Sequence, residues 1–265
     1  MRQFFKNNTI NFSEVQELPI NRAFLFGDGL FETMVFTNGR IRFHEDHQER
    51  ANNGCIKLKI DTEPDLNNVS KLLLNTFGKT STLRVRWNIF RSGIGKYSPM
   101  DNKHNEHLVV TDFQASPLVK NKAYISNDIQ VNGTPWSGTK TLNALTYVLA
   151  NIERQEKQMD DVILLDDKGY VSEGGSANIF WVKNNKYYTP SLQTNCIAGI
   201  GRKQIINQLK TSGIICQLDT FGKEELMNAD QVFVSNVTGI SYLQRIDNKI
   251  FDTKPESALI SLFSF

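Results

Sequence analysis

The sequence predicts a mixed α/β chain of two domains with a boundary near residue 118. Three observations carry that expectation. Strand-like and helix-like patterns alternate through the first half, a polar stretch from Ser116 to Lys122 interrupts them, and an amphipathic helix opens the second half. At 265 residues the chain is long enough for two cores, placed at residues 1–118 and 119–265.

Phe31 to Phe36 reads as a strand, and Thr37-Asn38-Gly39-Arg40 supplies an Asn-Gly hairpin turn into Ile41-Arg42-Phe43. His44 to Asn53 is polar and helical. Leu83-Arg84-Val85-Arg86-Trp87-Asn88-Ile89 alternates with period two, as a half-buried strand does, and its arginines share one face. Leu108 to Thr111 is a further strand. Beyond the boundary, Leu142, Leu145, Val148, Leu149 and Ile152 recur at helical spacing and form one apolar stripe. Val162 to Leu165 is a buried strand, and Asp166-Asp167-Lys168-Gly169 turns into Tyr170 to Glu173. Ile179 to Lys183, Asn184-Asn185 and Lys186 to Thr189 form another hairpin. Gly199-Ile200-Gly201-Arg202 then opens a helix with apolar Ile205, Ile206 and Leu209, ended by Gly213.

Composition excludes several function classes. Hydrophobic residues at 40% and charged residues at 22% describe an ordinary soluble globular protein. A net charge of +2 from scattered basic residues gives no electrostatic case for nucleic acid or an anionic membrane. No apolar run approaches the roughly 20 residues a membrane helix needs. The stretch Met1-Arg2-Gln3-Phe4-Phe5-Lys6-Asn7-Asn8 turns polar too soon for a secretory signal. Cys55, Cys196 and Cys216 are few and widely spaced, which argues against a disulfide framework and for a reducing cytoplasm.

Candidate chemistry centres on Lys140, in Gly138-Thr139-Lys140-Thr141-Leu142-Asn143, where the amphipathic helix is expected to begin. A lysine is most often a solvated surface charge, but at a helix start the dipole disfavours the cation and lowers the amine's pKa, as an amine nucleophile requires. Glu173, in Val171-Ser172-Glu173-Gly174-Gly175-Ser176-Ala177-Asn178, reads as a loop carboxylate or as an anion for a pyridinium nitrogen. Gly199-Ile200-Gly201 at a helix N-terminus offers unshielded amides for a phosphate, against a simple turn. Arg50 reads as a surface residue or as a clamp on a phosphate dianion from the other domain. His44-x-x-His47 and His104-x-x-His107 have a spacing seen among metal ligands but lack companion ligands, so no metal is expected. There is no Gly-x-Ser-x-Gly elbow.

Taken in order, these runs resemble the class IV aminotransferases, the fold-type IV pyridoxal-phosphate enzymes. That family includes branched-chain aminotransferases, D-amino acid transaminases and aminodeoxychorismate lyases. Arg22-Ala23-Phe24-Leu25-Phe26-Gly27-Asp28-Gly29-Leu30-Phe31-Glu32-Thr33 is similar to the family's opening R-x-F-x-Y-G-D-G-x-F-E-T. His47-x-x-Arg50 resembles its phosphate-arginine segment, and Lys140-Thr141-Leu142-Asn143 its Schiff-base lysine. Val171 to Phe180 resembles the block carrying the ring-nitrogen glutamate. Tyr188-Thr189-Pro190 and Gly199-Ile200-Gly201-Arg202 fall where the family has T-P and G-I-T-R.

The resemblance implies a two-domain α/β subunit, with a smaller N-terminal α/β domain and a larger, β-rich C-terminal domain that carries Lys140. It implies pyridoxal 5′-phosphate as cofactor in the interdomain cleft, and a homodimer. Lys140 would form the Schiff base and then move the α-proton. Glu173 would keep the ring nitrogen protonated, while Arg50, Asn178, Ile200, Gly201, Asn236 and Thr238 would hold the cofactor. Phe26, Arg86 and Arg91 would face the substrate, with Arg86 or Arg91 on its carboxylate and Arg86 favoured because it projects from a strand. Departures bear on the substrate. Gly201 replaces a threonine, Ser235-Asn236-Val237-Thr238-Gly239 is a residue short, and Phe26 replaces a frequent tyrosine. Leu145 stands where branched-chain enzymes have a tyrosine, and no Arg-x-His trap occurs near Gly95-Lys96-Tyr97. The expected activity is transamination of an amino acid. A pyruvate-eliminating 4-amino-4-deoxychorismate lyase, which Leu142-Asn143 also suits, and a cofactor-binding protein without turnover are the alternatives.

Overall fold

The computed structural model describes residues 1–7, 10–61 and 64–263; Asn8, at the end of the N-terminal stretch, lies outside them. The fold is mixed α/β, and the chain divides into two units. The first comprises residues 1–114 with 139–143, and the second 115–138 with 144–265. The break falls between Gln114 and Ala115, a few residues before 118, and the polar stretch from Ser116 to Lys122 contributes a short strand. Lys140 also moves: it belongs to the first unit, not the second. Backbone pairing is the reason. Phe31 N–H donates to the Lys140 carbonyl at 2.9 Å, Leu142 N–H donates to the Gly29 carbonyl at 2.9 Å, and Leu30 bridges Thr141 in antiparallel sense.

The first unit is built on one antiparallel sheet. In chain order its described elements are β1 (Arg2–Lys6), β2 (Ser13–Glu14), α1 (Arg22–Phe26), β3 (Gly29–Thr37), β4 (Arg40–Ile41), α2 (His44–Lys57), α3 (Leu66–Phe77), β5 (Leu83–Arg91) and β6 (His104–Asp112). The strands lie in the order β2-β1-β6-β5-β3-β4. Asn38 and Gly39 both have positive φ, 52° and 77°, as the two-residue turn between β3 and β4 requires. Alternation then sorts the two faces of the sheet. Leu30, Met34, Phe36, Val85, Trp87, Ile89, Leu108 and Val110 pack against α2 and α3 through Ala51, Cys55, Leu66, Val69 and Leu73. Each fully buried aliphatic or aromatic side chain there contributes roughly 1.5–3 kcal/mol. The opposite face carries Phe31, Arg86, Asn88 and His107, which register places side by side.

The second unit contains two sheets. Its described strands are β7 (Val119–Lys120), β8 (Ala123–Val131), β9 (Asp161–Asp166), β10 (Val171–Gly174), β11 (Asn178–Lys183), β12 (Lys186–Pro190), β13 (Cys216–Asp219), β14 (Gln231–Asn236), β15 (Gly239–Leu243), β16 (Arg245–Ile246) and β17 (Lys249–Ile250). Its helices are α4 (Leu145–Glu156), α5 (Ile200–Thr211) and α6 (Lys223–Met227). One sheet runs β10-β9-β8-β16-β17 and the other β13-β12-β11-β14-β15-β7. Asn184 and Asn185, at φ 48° and 59°, make the β11–β12 turn, and Gly213 at φ 74° follows the end of α5. Ile205 and Leu209 of α5 pack on Phe180 and Phe233.

Two expectations about α4 fail. The helix begins at Leu145, so Lys140 stands outside it, five residues earlier, and not at its dipole's positive end. The stripe also faces outward: Leu145, Val148, Leu149 and Ile152 are 43–61% exposed. The helix instead turns inward the small Ala150 with Tyr147 and Asn151, the latter donating to the Gly175 carbonyl at 2.9 Å.

Gly29 is where the Lys140 segment meets the sheet, and a Cβ there would overlap the Ile89 carbonyl oxygen and the Phe90 backbone. Gly29→Ala is therefore expected to destabilise the protein by about 2–3 kcal/mol, read as a lowered urea midpoint at unchanged slope.

Candidate active site

Lys140 owes its position to backbone, not to a helix. Its carbonyl is fixed on Phe31 N–H, and its Nζ lies 4.5 Å from the centre of the Phe31 ring. The same ring takes the guanidinium carbon of Arg86 at 3.6 Å. Two cations thus share one buried aromatic, a cation–π arrangement that strengthens as water is excluded. Arg86 Nε donates to Asn88 Oδ1 at 2.8 Å, and no carboxylate of the described residues forms an ion pair with it. Burial, with Arg84 adding like charge, lowers its pKa to about 10, so it stays cationic at neutral pH.

Arg91 is different. Its Nε donates to Asp28, its Nη1 to the Lys59 carbonyl and Asn102 Oδ1, and its Nη2 to the Leu58 carbonyl. All three nitrogens are engaged within its own unit, which leaves Arg91 fewer free donors than Arg86. Asp28 also receives Arg22 Nε at 2.7 Å. Phe26 lies under Arg22, whose guanidinium carbon is 4.8 Å from the ring centre, and beside exposed Tyr97.

Arg50 is oriented by Glu32, a residue that sequence reading passed over. Glu32 is wholly buried on the core face of β3, and accepts from Arg50 Nε at 2.7 Å, Arg50 Nη2 at 2.5 Å and His47 Nδ1 at 2.6 Å. Burial alone would raise its pKa; the Arg50 charge and the His47 hydrogen bond override it and hold the carboxyl at about 2. The signal was present in the sequence: an acid on the apolar face of a strand needs partners, and His47-x-x-Arg50 supplies two from one helical face. The histidine pairs serve separate partners, His44 with Glu45, His47 with Glu32, His104 with Glu106, and His107 with Asn88 and Gln3.

In the second unit, Glu173 stands just after a register shift in the β9–β10 pairing, a bulge of the kind that re-aims side chains. It is buried. Tyr147 Oη donates to its Oε1 at 2.6 Å, and Ile197 N–H is 3.2 Å from each oxygen. Burial and the Glu173 charge raise the Tyr147 pKa, so the phenol keeps its proton and remains a donor. Burial first, then the same charge, pushes Cys196 up to about 11. Tyr147 was not anticipated; it sits seven residues beyond Lys140, in a stretch read only for its apolar stripe.

Asn178 Nδ2 donates to the Ile197 carbonyl at 2.8 Å, and its Oδ1 occupies the space that a Cβ on Gly199 would need. Gly199 caps α5 without a side-chain hydrogen bond, and the amides of Ile200 and Gly201 precede the first intrahelical donor, Lys203 N–H, which bonds the Gly199 carbonyl at 3.0 Å. A Cβ on Gly201 would lie 3.0 Å from Ser235 Oγ, a buried hydroxyl without a hydrogen-bond partner. Uncapped amides beside an unsatisfied hydroxyl are a donor set that suits a phosphate, so these residues fit the phosphate end of the expected cofactor. Ser235 was another omission. Asn236 Oδ1, by contrast, accepts from Thr238 N–H at 2.8 Å and Thr238 Oγ1 at 2.6 Å, and Thr238 Oγ1 also meets Ser116 Oγ. That pair builds the β14–β15 turn.

The Glu32 cluster carries an acid-stability prediction. A carboxyl depressed to about 2 stabilises the fold fully above its unfolded value near 4.5, and that contribution is lost as pH falls through 2. Glu32→Gln should cost about 3 kcal/mol at neutral pH and flatten the loss of stability between pH 4.5 and 2, measured by denaturant melts across that window.

The class IV amino-transferase family model matches residues 29–244. An aminodeoxychorismate lyase of Vibrio harveyi is 28% identical over 243 residues, covering 87% of this chain and 88% of that one. A putative branched-chain-amino-acid aminotransferase of Methanocaldococcus jannaschii is 26% identical over 263 residues, covering 96% and 91%. Among solved structures, the branched-chain aminotransferase from Thermoproteus uzoniensis with norvaline superposes at a TM-score of 0.85 with 21% identity, covering 96% of this chain and 90% of that one.

Proposed function

Since the chain belongs to the class IV aminotransferases, whose enzymes depend on pyridoxal 5′-phosphate, we propose that it transfers the amino group at the α-carbon of an amino acid. The observation that carries this reading is Arg86. It is a half-buried arginine with no ion-pair partner among the described residues, on the ring that also carries the Lys140 amine. A substrate whose carboxylate meets Arg86 brings its amino-bearing carbon towards that amine.

When bound, the cofactor supplies an electron sink conjugated to the substrate nitrogen. Lys140 Nζ would hold the cofactor and would take and return the proton of the substrate α-carbon. Glu173 keeps the ring nitrogen protonated, with Tyr147 and the Ile197 amide fixing its two oxygens without neutralising them. Arg50, aimed by Glu32, and the Ile200 and Gly201 amides hold the phosphate, with Asn178 setting the entry to α5. Asn236 and Thr238 act by shaping the adjoining turn, and Phe26 forms an apolar part of the substrate wall. We further assign the enzyme to the cytoplasm, on its three free cysteines, and to a homodimer that covers the outward stripe of α4.

A second reading is a pyruvate-releasing lyase on an amino-chorismate, favoured by Leu142-Asn143 after Lys140 and by the Vibrio harveyi relative. Purified protein screened against L- and D-amino acids is expected to change the cofactor spectrum and to turn over only when a keto acid is added. Pyruvate released from the cyclic substrate without an acceptor would select the lyase instead, and a spectrum unmoved by every amine would leave a binding protein. Lys140→Ala should lose the visible absorbance band of bound cofactor and all turnover; a surviving band would refute the central role. Arg86→Leu should weaken carboxylate-bearing substrates about 10- to 100-fold, whereas Arg91→Ala should lower stability by about 3 kcal/mol and leave substrate affinity unchanged in the folded fraction.

A further inference from the structure

We propose that His107 and Asn88 are positioning residues that hold Arg86 for the substrate carboxylate, and that protonation of His107 releases this hold. The proposal rests on Arg86 being the carboxylate anchor, and its argument is one of hydrogen-bond direction.

Arg86 Nε only donates, so the Asn88 atom 2.8 Å away must be the oxygen. That leaves Asn88 Nδ2 facing His107 Nδ1 at 3.2 Å. An amide nitrogen also only donates, so His107 Nδ1 accepts and carries no proton. The ring proton therefore sits on Nε2, which donates to Gln3 Oε1 at 3.0 Å. Arg86, Asn88, His107 and Gln3 form a directed chain from β5 through β6 to β1, with each orientation dictating the next. Asn88 and His107 are both buried, so water does not compete for these bonds.

A second proton on His107 would go to Nδ1 and set donor against donor at Asn88. The amide would then have to turn over, which presents its NH2 to Arg86 Nε–H and repeats the conflict there. The charged side chains sharing this sheet face with His107 are Arg84 and Arg86 from β5, Arg40 at the far end on β4, and Lys140 on the added segment. From β1, His107 meets Phe5 and Gln3, both uncharged. Burial, then the Arg86 charge, lowers the His107 pKa, so the ring is neutral at pH 7 and the chain is intact there.

The test uses the cofactor-loaded enzyme and propionate, a carboxylate without an amine, with binding followed by calorimetry from pH 8 to pH 5. Affinity is expected to be flat near neutrality and to fall roughly tenfold on acidification. His107→Gln should remove that fall. Because replacing a buried histidine can unfold the protein, Gln3→Glu is the companion: an anion accepting from Nε2 favours the protonated ring, so the fall should move to higher pH. Wild-type binding that is independent of pH, or a fall that neither variant alters, would overturn the proposal while leaving Arg86 in place. Propionate binding unaffected by Arg86→Leu would overturn the carboxylate assignment itself.

Discussion

The pairing of residues 140–142 with the start of β3 is the constraint on which the site depends. Two backbone hydrogen bonds and one bridge carry Lys140 onto the sheet beside Phe31. Two glycines give the segment room. Gly29 lets its strand lie close against Ile89 and Phe90, and a Cβ on Gly54 of α2 would lie 3.0 Å from Leu30 and 3.4 Å from Thr139. An amine anchored in this way has only its own side-chain torsions left to order, which reduces the entropy lost in presenting it. Had the lysine stood on α4, as its sequence neighbourhood led one to expect, its position would follow the helix and not the sheet that holds Arg86.

The charges around that sheet are distributed unevenly, and the unevenness is informative. Asp28 satisfies Arg22 and Arg91, and Glu32 satisfies Arg50 and His47. Arg86 receives an aromatic ring and a neutral amide instead. A half-buried cation without an anion is partly desolvated with nothing to offset the cost, which an anionic ligand would recover. Arg86 is thus set apart from Arg22, Arg50 and Arg91 by holding no carboxylate among the described residues, a distinction that residue type alone does not make.

Much of this was legible in the sequence wherever the governing interactions are local. The Asn38-Gly39 and Asn184-Asn185 turns need positive φ at consecutive residues, and that requirement is written in residue identity. Gly199-Ile200-Gly201 announced the start of α5 for a similar reason. The errors arose where a local pattern met a distant partner. Leu142 extends the helical stripe backward in sequence, but its amide is taken by Gly29. The stripe shows that α4 is amphipathic and does not show which side meets its own unit. Arg86 and Arg91 are an odd number of residues apart on β5, so alternation puts them on opposite faces; which face carries the site is decided by Phe31 and the 139–143 segment. Tyr147 and Ser235 gave no signal of their own, because a phenol and a hydroxyl acquire meaning only from what they touch.

The partner of Arg86 suits the anchoring role proposed for it. A carboxylate on Nε would orient the guanidinium equally well, but it would neutralise the charge that role requires. Asn88 offers a single acceptor with no net charge, fixing Nε while leaving the positive field of the guanidinium in place. An amide has two ends, however, and one of them is wrong for this purpose. Something must decide between them, and among the residues around Asn88 only an unprotonated imidazole nitrogen does so by accepting from its NH2. Glu173 is held on the same logic with the sign reversed, by a phenol and a backbone amide whose proton affinities are too far from neutral to discharge it. Arg50, proposed to meet the phosphate, is instead aimed by the ion pair it makes with Glu32, so a charged partner is used where the ligand carries more than one negative charge.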